Sequence, residues 1–320
     1  MITRTRVHTL KCVAAQAAVV VVALTFAAST VISAQQPTFF QEQFKAGQTI
    51  APAFEGWEPN PDGSINMVFG YFNRNWEEQP DFPVGPNNNI EPGGPDQGQP
   101  TRFLPRRNKF VFRVRVPKDF GNRELVWTLT THGKTERAYA SLKPDYKLDK
   151  RVLLTNTHMR LTITDYPEFD QDMVDDIAPV VRIEGATQRT IKVREPLDLM
   201  AFVSDDGRLK AKPAPRGVDS DTTALGLRVA WFVYRGGGKV TFAPEQFKVY
   251  QDKNPGGNSP WTPGWAPPPL PADGKFPVKV SFDSPGTYVV RLLAHDGGLQ
   301  TTEDVTVTVT GNPTTSASAR

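Results

Sequence analysis

Acidic residues in two Asp-Gly turns are the first groups in this sequence whose types and spacing suggest chemistry. "SDDG" supplies Asp205 and Asp206, and "HDGG" supplies Asp296. Carboxylates that converge from neighbouring loops bind calcium through several oxygens, so these three residues form a candidate calcium site. The favoured alternative is that Asp and Gly simply form turns readily, because no D-x-D-x-D-G loop is present. We therefore expect no cofactor, with calcium as the alternative.

Two tryptophans beside a proline run are the second candidate site. The segment "SPWTPGWAPPPLP", residues 259–271, holds Trp261 and Trp265 next to a stretch that favours the extended polyproline II conformation. Their flat rings could stack on a sugar or on the side chains of a protein partner. Alternatively, both rings fold back and seal the edge of the domain, since two exposed indoles would form an adhesive apolar patch.

A catalytic combination of residues is not recognisable in the sequence. The histidines after residue 34 are His132, His158 and His295, which are far apart, and the single cysteine is Cys12. There is no H-E-x-x-H or G-x-S-x-G motif. Without a nucleophile, a base and an orienting group, the sequence predicts a protein that is not an enzyme. The competing hypothesis is an enzyme, or an enzyme subunit, that acts on envelope or extracellular polysaccharide through a cleft in the first domain.

Four arginines, Arg74, Arg102, Arg106 and Arg107, lie close in sequence to a long irregular segment, residues 77–105. An irregular run of this length within a compact domain is either functional or mobile. We expect the arginines to pin the segment through ion pairs with nearby carboxylates, and an anionic glycan site is the alternative.

The first 34 residues have the order of a secretory signal. Arg4, Arg6 and Lys11 precede an uncharged apolar run that ends at Ala34. The run is also long enough to remain as an uncleaved membrane anchor, which would be the chain's only contact with a membrane. In both cases the rest of the chain is exported, to the periplasm, the cell surface or the medium.

Charge excludes one class of partner. The sequence has 37 Lys and Arg residues against 34 Asp and Glu residues, and the three basic residues of the signal account for that excess. The exported part is therefore formally neutral, which argues against binding to nucleic acid.

Alternation of apolar and polar residues with a period of two follows the signal, and 29 prolines with 25 glycines argue against long helices. The predicted fold class is all-β, with two antiparallel β-sandwich domains in tandem. The first β-rich domain covers residues 35–170, a linker covers 171–178, the second domain covers 179–311, and 312–320 form a disordered tail.

Strands of the first domain are predicted in "SINMVFGYFNRN", "KFVFRVRVP", "ELVWTLTTHG" and "RLTITDY". In the second of these the alternation places one set of residues on the buried face: Phe110, Phe112, Val114 and Val116.

The second domain has the hydrophobic pattern of an immunoglobulin-type (Ig) sandwich without its disulfide. Trp231 lies in "LRVAWFVYRGGG", and Tyr288 begins the penultimate strand after a Pro-Gly corner in "SPGTYVVRLLAHDG". Both side chains are predicted to be buried, with the Tyr288 hydroxyl bonded to nearby backbone. "APVVRI", "EPLDLMAFVSDDG" and "SPGTYVVRLLAHDGGLQTTEDVTVTV" resemble PKD-like and related bacterial Ig-like domains. That resemblance, over residues 178–310, implies a β-sandwich used for adhesion, for protein or carbohydrate binding, or as a spacer.

The first domain is similar, in "GWEPNPDGSINMVFGYFNRNWEE" and "IEPGGPDQGQPTRFLPRR", to an uncharacterised group of exported bacterial proteins. We therefore expect an exported, non-enzymatic binding or scaffold protein of the bacterial envelope whose partner is a protein or a glycan. Loops grouped at one pole of a rigid sandwich commonly form a binding surface. A ligand of the second domain should therefore contact Asp205, Asp296 and the segment from Trp261 to Trp265.

Overall fold

The computed structural model describes residues 44–150, 152–153, 174–209, 226–246 and 267–311. The predicted signal, the strand "RLTITDY", both tryptophans of the proline-rich segment and the predicted tail lie outside these ranges. The described residues form fourteen strands and confirm the all-β fold class, with two successive β-sandwiches.

Six strands build the first sandwich: β1 Ile50–Pro59, β2 Ile65–Asn73, β3 Asn88–Glu91, β4 Arg106–Val116, β5 Leu125–Thr131 and β6 Lys134–Ala140. One sheet has the order β1-β2-β4 and the other β3-β5-β6, and all pairs are antiparallel. A short 3-10 helix, Pro144–Tyr146, follows β6.

Aromatic side chains fill the space between the two sheets of the first sandwich. Trp127 of β5 is fully buried and meets Phe112 edge-on, with ring centroids 5.0 Å apart, and Phe69 at 6.0 Å. Its indole N–H donates to Asn88 Oδ1 at 3.0 Å, so its polar atom is satisfied inside the core. Leu125 and Leu129, which alternate with the intervening residues of β5 as Trp127 does, are buried on the same face.

Phe110 corrects one prediction for β4. Phe112, Val114 and Val116 face the core, but Phe110 packs with Val68 and Leu148 in a separate cluster. Between the pairs Phe69–Phe112 and Tyr71–Asn108 the β4 strand uses two more residues than β2 does, and Phe110 has a φ of 53°. Two extra residues keep the alternation on either side of the bulge in phase, but the left-handed conformation of Phe110 within the bulge turns its side chain away from the face of Phe112.

Eight strands build the second sandwich: β7 Val180–Ile183, β8 Gln188–Lys192, β9 Leu197–Ser204, β10 Arg228–Arg235, β11 Val240–Ala243, β12 Lys275–Phe282, β13 Gly286–His295 and β14 Gln300–Thr310. The sheets have the orders β10-β13-β14-β8 and β11-β12-β9-β7. All pairs are antiparallel except β8 with β14. The first two strands of this sandwich thus belong to different sheets, because β7 pairs with β9 and β8 pairs with β14.

The core of the second sandwich centres on Trp231 and Tyr288. Trp231 has no exposed surface and Tyr288 has 2%. The Tyr288 hydroxyl donates to the carbonyl of Ser284 at 3.0 Å, which closes the corner before β13.

Gly236 to Gly238 carry the chain from β10 in one sheet to β11 in the other. Gly236 has a φ of 111°, and a Cβ atom there would lie 2.6 Å from Cδ1 of Tyr288. Glycine is therefore required where the chain passes over this ring.

Segment 77–105 is not irregular throughout as predicted, because it contains β3. Its C-terminal part lies against β10 of the second sandwich, where its backbone N–H groups donate to the Tyr234 carbonyl and its carbonyls accept from the side chains of Tyr234 and Arg235. The described residues of both sandwiches belong to one compact unit. The segment thus has a structural role at the contact between the two sandwiches, and its function or mobility stays a prediction.

Candidate functional site

Four strand ends meet at one pole of the second sandwich and position its acidic residues. β9 ends at Ser204, just before Asp205 and Asp206, and β13 ends at His295, just before Asp296. Arg228, the first residue of β10, pairs with His295, and β12 begins opposite the end of β9. We call this end, with Asp205, Asp206 and Asp296, the acidic pole.

Asp176 joins the acidic pole from the chain that precedes β7. It is 2% exposed, and the carboxylates of Asp205, Asp206 and Asp296 all act on its charge. The neighbouring Ile177 N–H donates to Asp206 Oδ2 at 3.1 Å. The sequence signal for Asp176 was the acidic run "DMVDD", which we interpreted only as a domain boundary.

Hydrogen bonds satisfy some of the carboxylate oxygens at this pole. Asp296 Oδ1 accepts the backbone N–H groups of Gly298 and Leu299 at 2.6 and 2.8 Å, and Asp205 Oδ2 accepts that of Gly207 at 2.9 Å. Four buried oxygens accept no hydrogen bond from the described residues: both of Asp176, Oδ1 of Asp205 and Oδ2 of Asp296. A buried, unpaired carboxylate oxygen is costly while it is charged, so this pole favours a proton or a cation.

Burial and mutual repulsion change the proton affinity of these acids. Loss of hydration, with repulsion from Asp296, Asp206 and Asp205, raises the pKa of Asp176 to about 7. Loss of hydration and repulsion from Asp205 raise the pKa of Asp296 to about 6. Burial also raises the pKa of Asp205. Two cations lie nearby: the Lys150 ammonium donates to the backbone carbonyls of Val174 and Asp176, and Arg208 pairs with Asp206 at 3.4 Å.

Calcium at Asp205, Asp206 and Asp296 stays a prediction. Within the described ranges, no group of three or more Asp, Glu, His or Cys side chains is arranged to hold a metal ion. Protonation of Asp176 and Asp296 is a second way to relieve the charge at this pole.

An open groove of about 680 Å³ lies beside Asp205. Its walls include Gly226, Leu227 and the chain from Leu270 to Gly274. Trp261 and Trp265 lie outside the described residues, but the chain that follows them returns to the acidic pole, where the Val203 N–H donates to the carbonyl of Gly274 at 2.9 Å.

The arginines near segment 77–105 contact other parts of the protein. Arg74 pairs with Glu136 at 2.8 Å, and Arg107 with Glu55 at 2.7 Å. The Arg106 guanidinium lies 4.3 Å from the ring centroid of Trp76, and Arg102 donates to the carbonyl of Gly238 at 3.1 Å. Glu136 and Glu55 lie outside segment 77–105, so these ion pairs do not pin the segment as expected. The contacts favour a structural role for the arginines over an anionic glycan site. His132 and His295 lie in different sandwiches, and His158 is outside the described residues.

Replacement of Asp176 by asparagine should make the protein more stable above neutral pH. Because the folded pKa is raised from about 4 to about 7, the native state holds an extra proton between these values, and the stability it supplies is lost progressively as the pH rises from about 4 to about 7. Asp176→Asn cannot ionise, so its unfolding free energy should exceed that of wild type by roughly 1–3 kcal/mol at pH 8 and little at pH 4. Urea denaturation between these pH values measures the difference.

Asp145→Asn, which changes an exposed acid of the 3-10 helix, is the matched control and should show no such pH-dependent gain. A difference between Asp176→Asn and wild type that does not grow with pH would contradict the buried-charge interpretation. The same titration with millimolar calcium tests the calcium prediction, since a bound ion would stabilise wild type at pH 8 by mass action.

Comparisons with known proteins give weak structural matches. No protein family matches the sequence, and no curated protein matches it. Domains 4 and 5 of the S-layer protein SbsC share 7% identity over 59% of this chain and 66% of that chain, with a TM-score of 0.23. The fibronectin(III)-like modules of Clostridium thermocellum CbhA share 11% identity over 82% and 94%, with a TM-score of 0.22.

Sidekick-1 immunoglobulin domains 1–4 share 10% identity over 82% of this chain and 48% of that chain, with a TM-score of 0.21. This chain thus spans just under two thirds of the SbsC fragment and about half of the Sidekick-1 fragment. Because all three scores are low, the fold assignment rests on the strand pairing described above. In the part of the chain that the structure describes, no helix has the length and hydrophobicity to span a bilayer.

Proposed function

We propose that this chain is an exported, non-catalytic binding or scaffold protein of the bacterial envelope. Its two sandwiches act as one rigid body that holds the acidic pole in a fixed position, for contact with a protein or a glycan. The observation that carries this proposal is the interface between the sandwiches, which is built from segment 77–105.

Backbone groups form the first part of the interface. The carbonyl of Tyr234 accepts the N–H groups of both Thr101 and Arg102 at 3.2 Å. Gly236 N–H donates to Thr101 Oγ1 at 3.0 Å. The end of β10 is therefore held by the loop much as an added strand would hold it, which leaves little freedom for rotation between the sandwiches.

A charged pair lies at the edge of the same contact. Arg235 donates to both oxygens of Asp96 at 2.8 and 3.0 Å and to the carbonyl of Gln99 at 2.9 Å. The hydrogen bond from Arg235 is the main cause of a lowered pKa of Asp96. Because Asp96 is half exposed, the pair fixes the geometry and contributes little to stability.

Apolar side chains of the second sandwich enter the core of the first. Tyr234 is 3% exposed and belongs to the hydrophobic core of the first sandwich, with Phe232 and Val289 packed at its border. The Tyr234 hydroxyl donates to the carbonyl of Gly98. Burial of a whole tyrosine across a domain boundary couples the stability of the two sandwiches.

Arg291 completes the interface from β13. Its guanidinium lies 3.4 Å from the centroid of the Tyr234 ring and forms two hydrogen bonds with Asp304, at 2.7 and 2.8 Å. It also donates to the carbonyl of Val111 at 3.0 Å, and Gln300 donates to that of Phe110 at 2.7 Å. The bulge in β4 thus presents two carbonyls to the second sandwich.

A contact of this kind supports a scaffold role. Domains joined by a small polar interface move relative to each other, whereas a shared apolar core and paired backbone prevent such motion. Loops on a rigid support lose less conformational entropy when a ligand binds, so a fixed acidic pole favours a binding function.

Co-sedimentation with isolated bacterial envelopes tests the proposal. We expect the purified exported chain to sediment with the envelope fraction and the double variant Trp261→Ala, Trp265→Ala to remain in the supernatant. Thr287→Ala, which truncates an exposed side chain at the start of β13, the end of that strand away from the acidic pole, is the control and should sediment like wild type.

Two results would contradict the proposal. One is a wild-type chain that stays in the supernatant. The other is release of reducing sugars from envelope polysaccharide that a single side-chain substitution abolishes, because the protein would then be an enzyme.

A further inference from the structure

The outer face of the sheet β3-β5-β6 carries two rows of side chains that point away from the core. In one row Asn89, Thr128 and Arg137 are register partners across the three strands. In the next row the partners are Glu91, Val126 and Tyr139. Adjacent strands are about 4.8 Å apart and the rows about 7 Å apart, so the patch measures roughly 10 by 7 Å.

Tyr139 is the apolar centre of this patch. It is 56% exposed, and its ring lies on the outer face of β6, an edge strand of the sheet. Among the described residues, the side chains of Asn89, Glu91, Glu124 and Arg137 have no hydrogen-bond or ion-pair partner. The patch therefore combines one flat ring with several free donors and acceptors.

A loop wall turns the patch into a groove of about 900 Å³, lined also by Pro86 and by residues 92–95. The Gln97 side chain fixes this wall, because its amide N–H₂ lies 2.9 to 3.0 Å from three carbonyls, those of Ile90, Pro92 and Gly94. Gln99 adds a hydrogen bond to the carbonyl of Pro95 at 2.5 Å. The groove is thus formed before any ligand binds.

We infer that this groove binds a neutral, hydroxyl-rich glycan chain. The Tyr139 ring would stack on the apolar face of a sugar, and the carboxylates of Glu91 and Glu124 and the Arg137 guanidinium would bond its hydroxyl groups. Two carboxylates against one guanidinium disfavour an anionic glycan. A peptide would need apolar pockets or a free strand edge, but the groove lies on the face of the sheet and, apart from its prolines, has only Val126 and Tyr139 as large apolar surface.

This inference goes beyond the proposed function, since the groove is in the first sandwich and the acidic pole is in the second. Loss of Trp261 and Trp265 would affect envelope binding without changing the groove. The two sites can therefore be tested separately.

Calorimetric titration with defined hexasaccharides tests the groove. The probes are the hexaoses of cellulose, chitin, maltose and mannan, with oligogalacturonate as the anionic comparison. We expect wild type to bind at least one neutral hexaose. Tyr139→Ala should bind that hexaose at least about tenfold more weakly, which corresponds to about 1.4 kcal/mol. Arg137→Ala and Glu91→Gln should also weaken binding.

Tyr146→Ala is the matched control, because Tyr146 is 46% exposed on the same sandwich and outside the groove. It should bind as wild type does, and the melting temperature of Tyr139→Ala should show that the variant is folded. The inference is overturned if no neutral hexaose binds at millimolar concentration, if Tyr139→Ala binds like wild type, or if oligogalacturonate binds more tightly.

Discussion

Trp231→Ala should lower the free energy of unfolding by about 3–5 kcal/mol. Trp231 has no exposed surface and lies in the core between the two sheets of the second sandwich. Its removal leaves a cavity among strands from both sheets, which can collapse only if the sheets move together. Urea denaturation at constant pH measures the loss.

Trp231→Phe is the control for this prediction. The indole N–H of Trp231 has no hydrogen-bond partner among the described residues, so the smaller aromatic ring removes an unsatisfied donor along with some packing. We expect it to lose no more than about 1.5 kcal/mol. A loss below about 1 kcal/mol for Trp231→Ala would mean that the second sandwich is not packed as described.

Tyr234→Ala should also lower the free energy of unfolding by about 3–5 kcal/mol, although Tyr234 does not belong to the core of its own sandwich. The reason is that its ring fills the core of the first sandwich and supports the guanidinium of Arg291. Its loss would leave Arg291 buried against a cavity and would remove the hydroxyl bond to Gly98. In this variant the two sandwiches should no longer unfold together. Urea denaturation should therefore give different midpoints when it is followed by tryptophan fluorescence and by far-UV circular dichroism.

Tyr234→Phe keeps the ring and loses only the hydroxyl, so we expect a loss of about 0.5–1.5 kcal/mol and a single transition. Tyr139→Ala, which truncates an exposed tyrosine, should change stability by less than about 0.5 kcal/mol. If Tyr234→Ala behaved like Tyr139→Ala, the interface would contribute nothing to the stability of the fold.

Periodicity predicted the second sandwich well because each of its strands has one face in the core. Trp231 and Tyr288, which were both predicted to be buried, lie in its core. The sequence of β10 also carried a signal that was not used, since Ala230 and Tyr234 on its other face are buried too. A strand that is apolar on both faces predicts a covering element on its outer side.

The first sandwich was predicted less completely. β1, Ile50–Pro59, and β6, Lys134–Ala140, were missed because glycine, proline and charged residues interrupt their alternation. The position of Phe110 depends on a bulge, which is set by backbone pairing and leaves no mark in the apolar pattern.

The acidic pole was predicted in part. Asp205 and Asp296 follow strands whose ends meet in any sandwich of this topology. The Asp-Gly turns and the strand order were therefore sufficient to predict that the two residues lie close together. Asp176 arrives from outside the sandwich, and only the folded chain places it there. The groove around Tyr139 was also missed, because it needs the register of β3 and β6, two strands that the alternation did not predict.

Differential scanning calorimetry of the exported chain tests most directly whether the two sandwiches form one rigid body. A shared core at Tyr234 and paired backbone at Thr101 and Arg102 predict one cooperative transition, with a calorimetric enthalpy equal to the van't Hoff enthalpy. Two transitions, or a calorimetric enthalpy about twice the van't Hoff value, would show that the sandwiches unfold independently and would contradict the account.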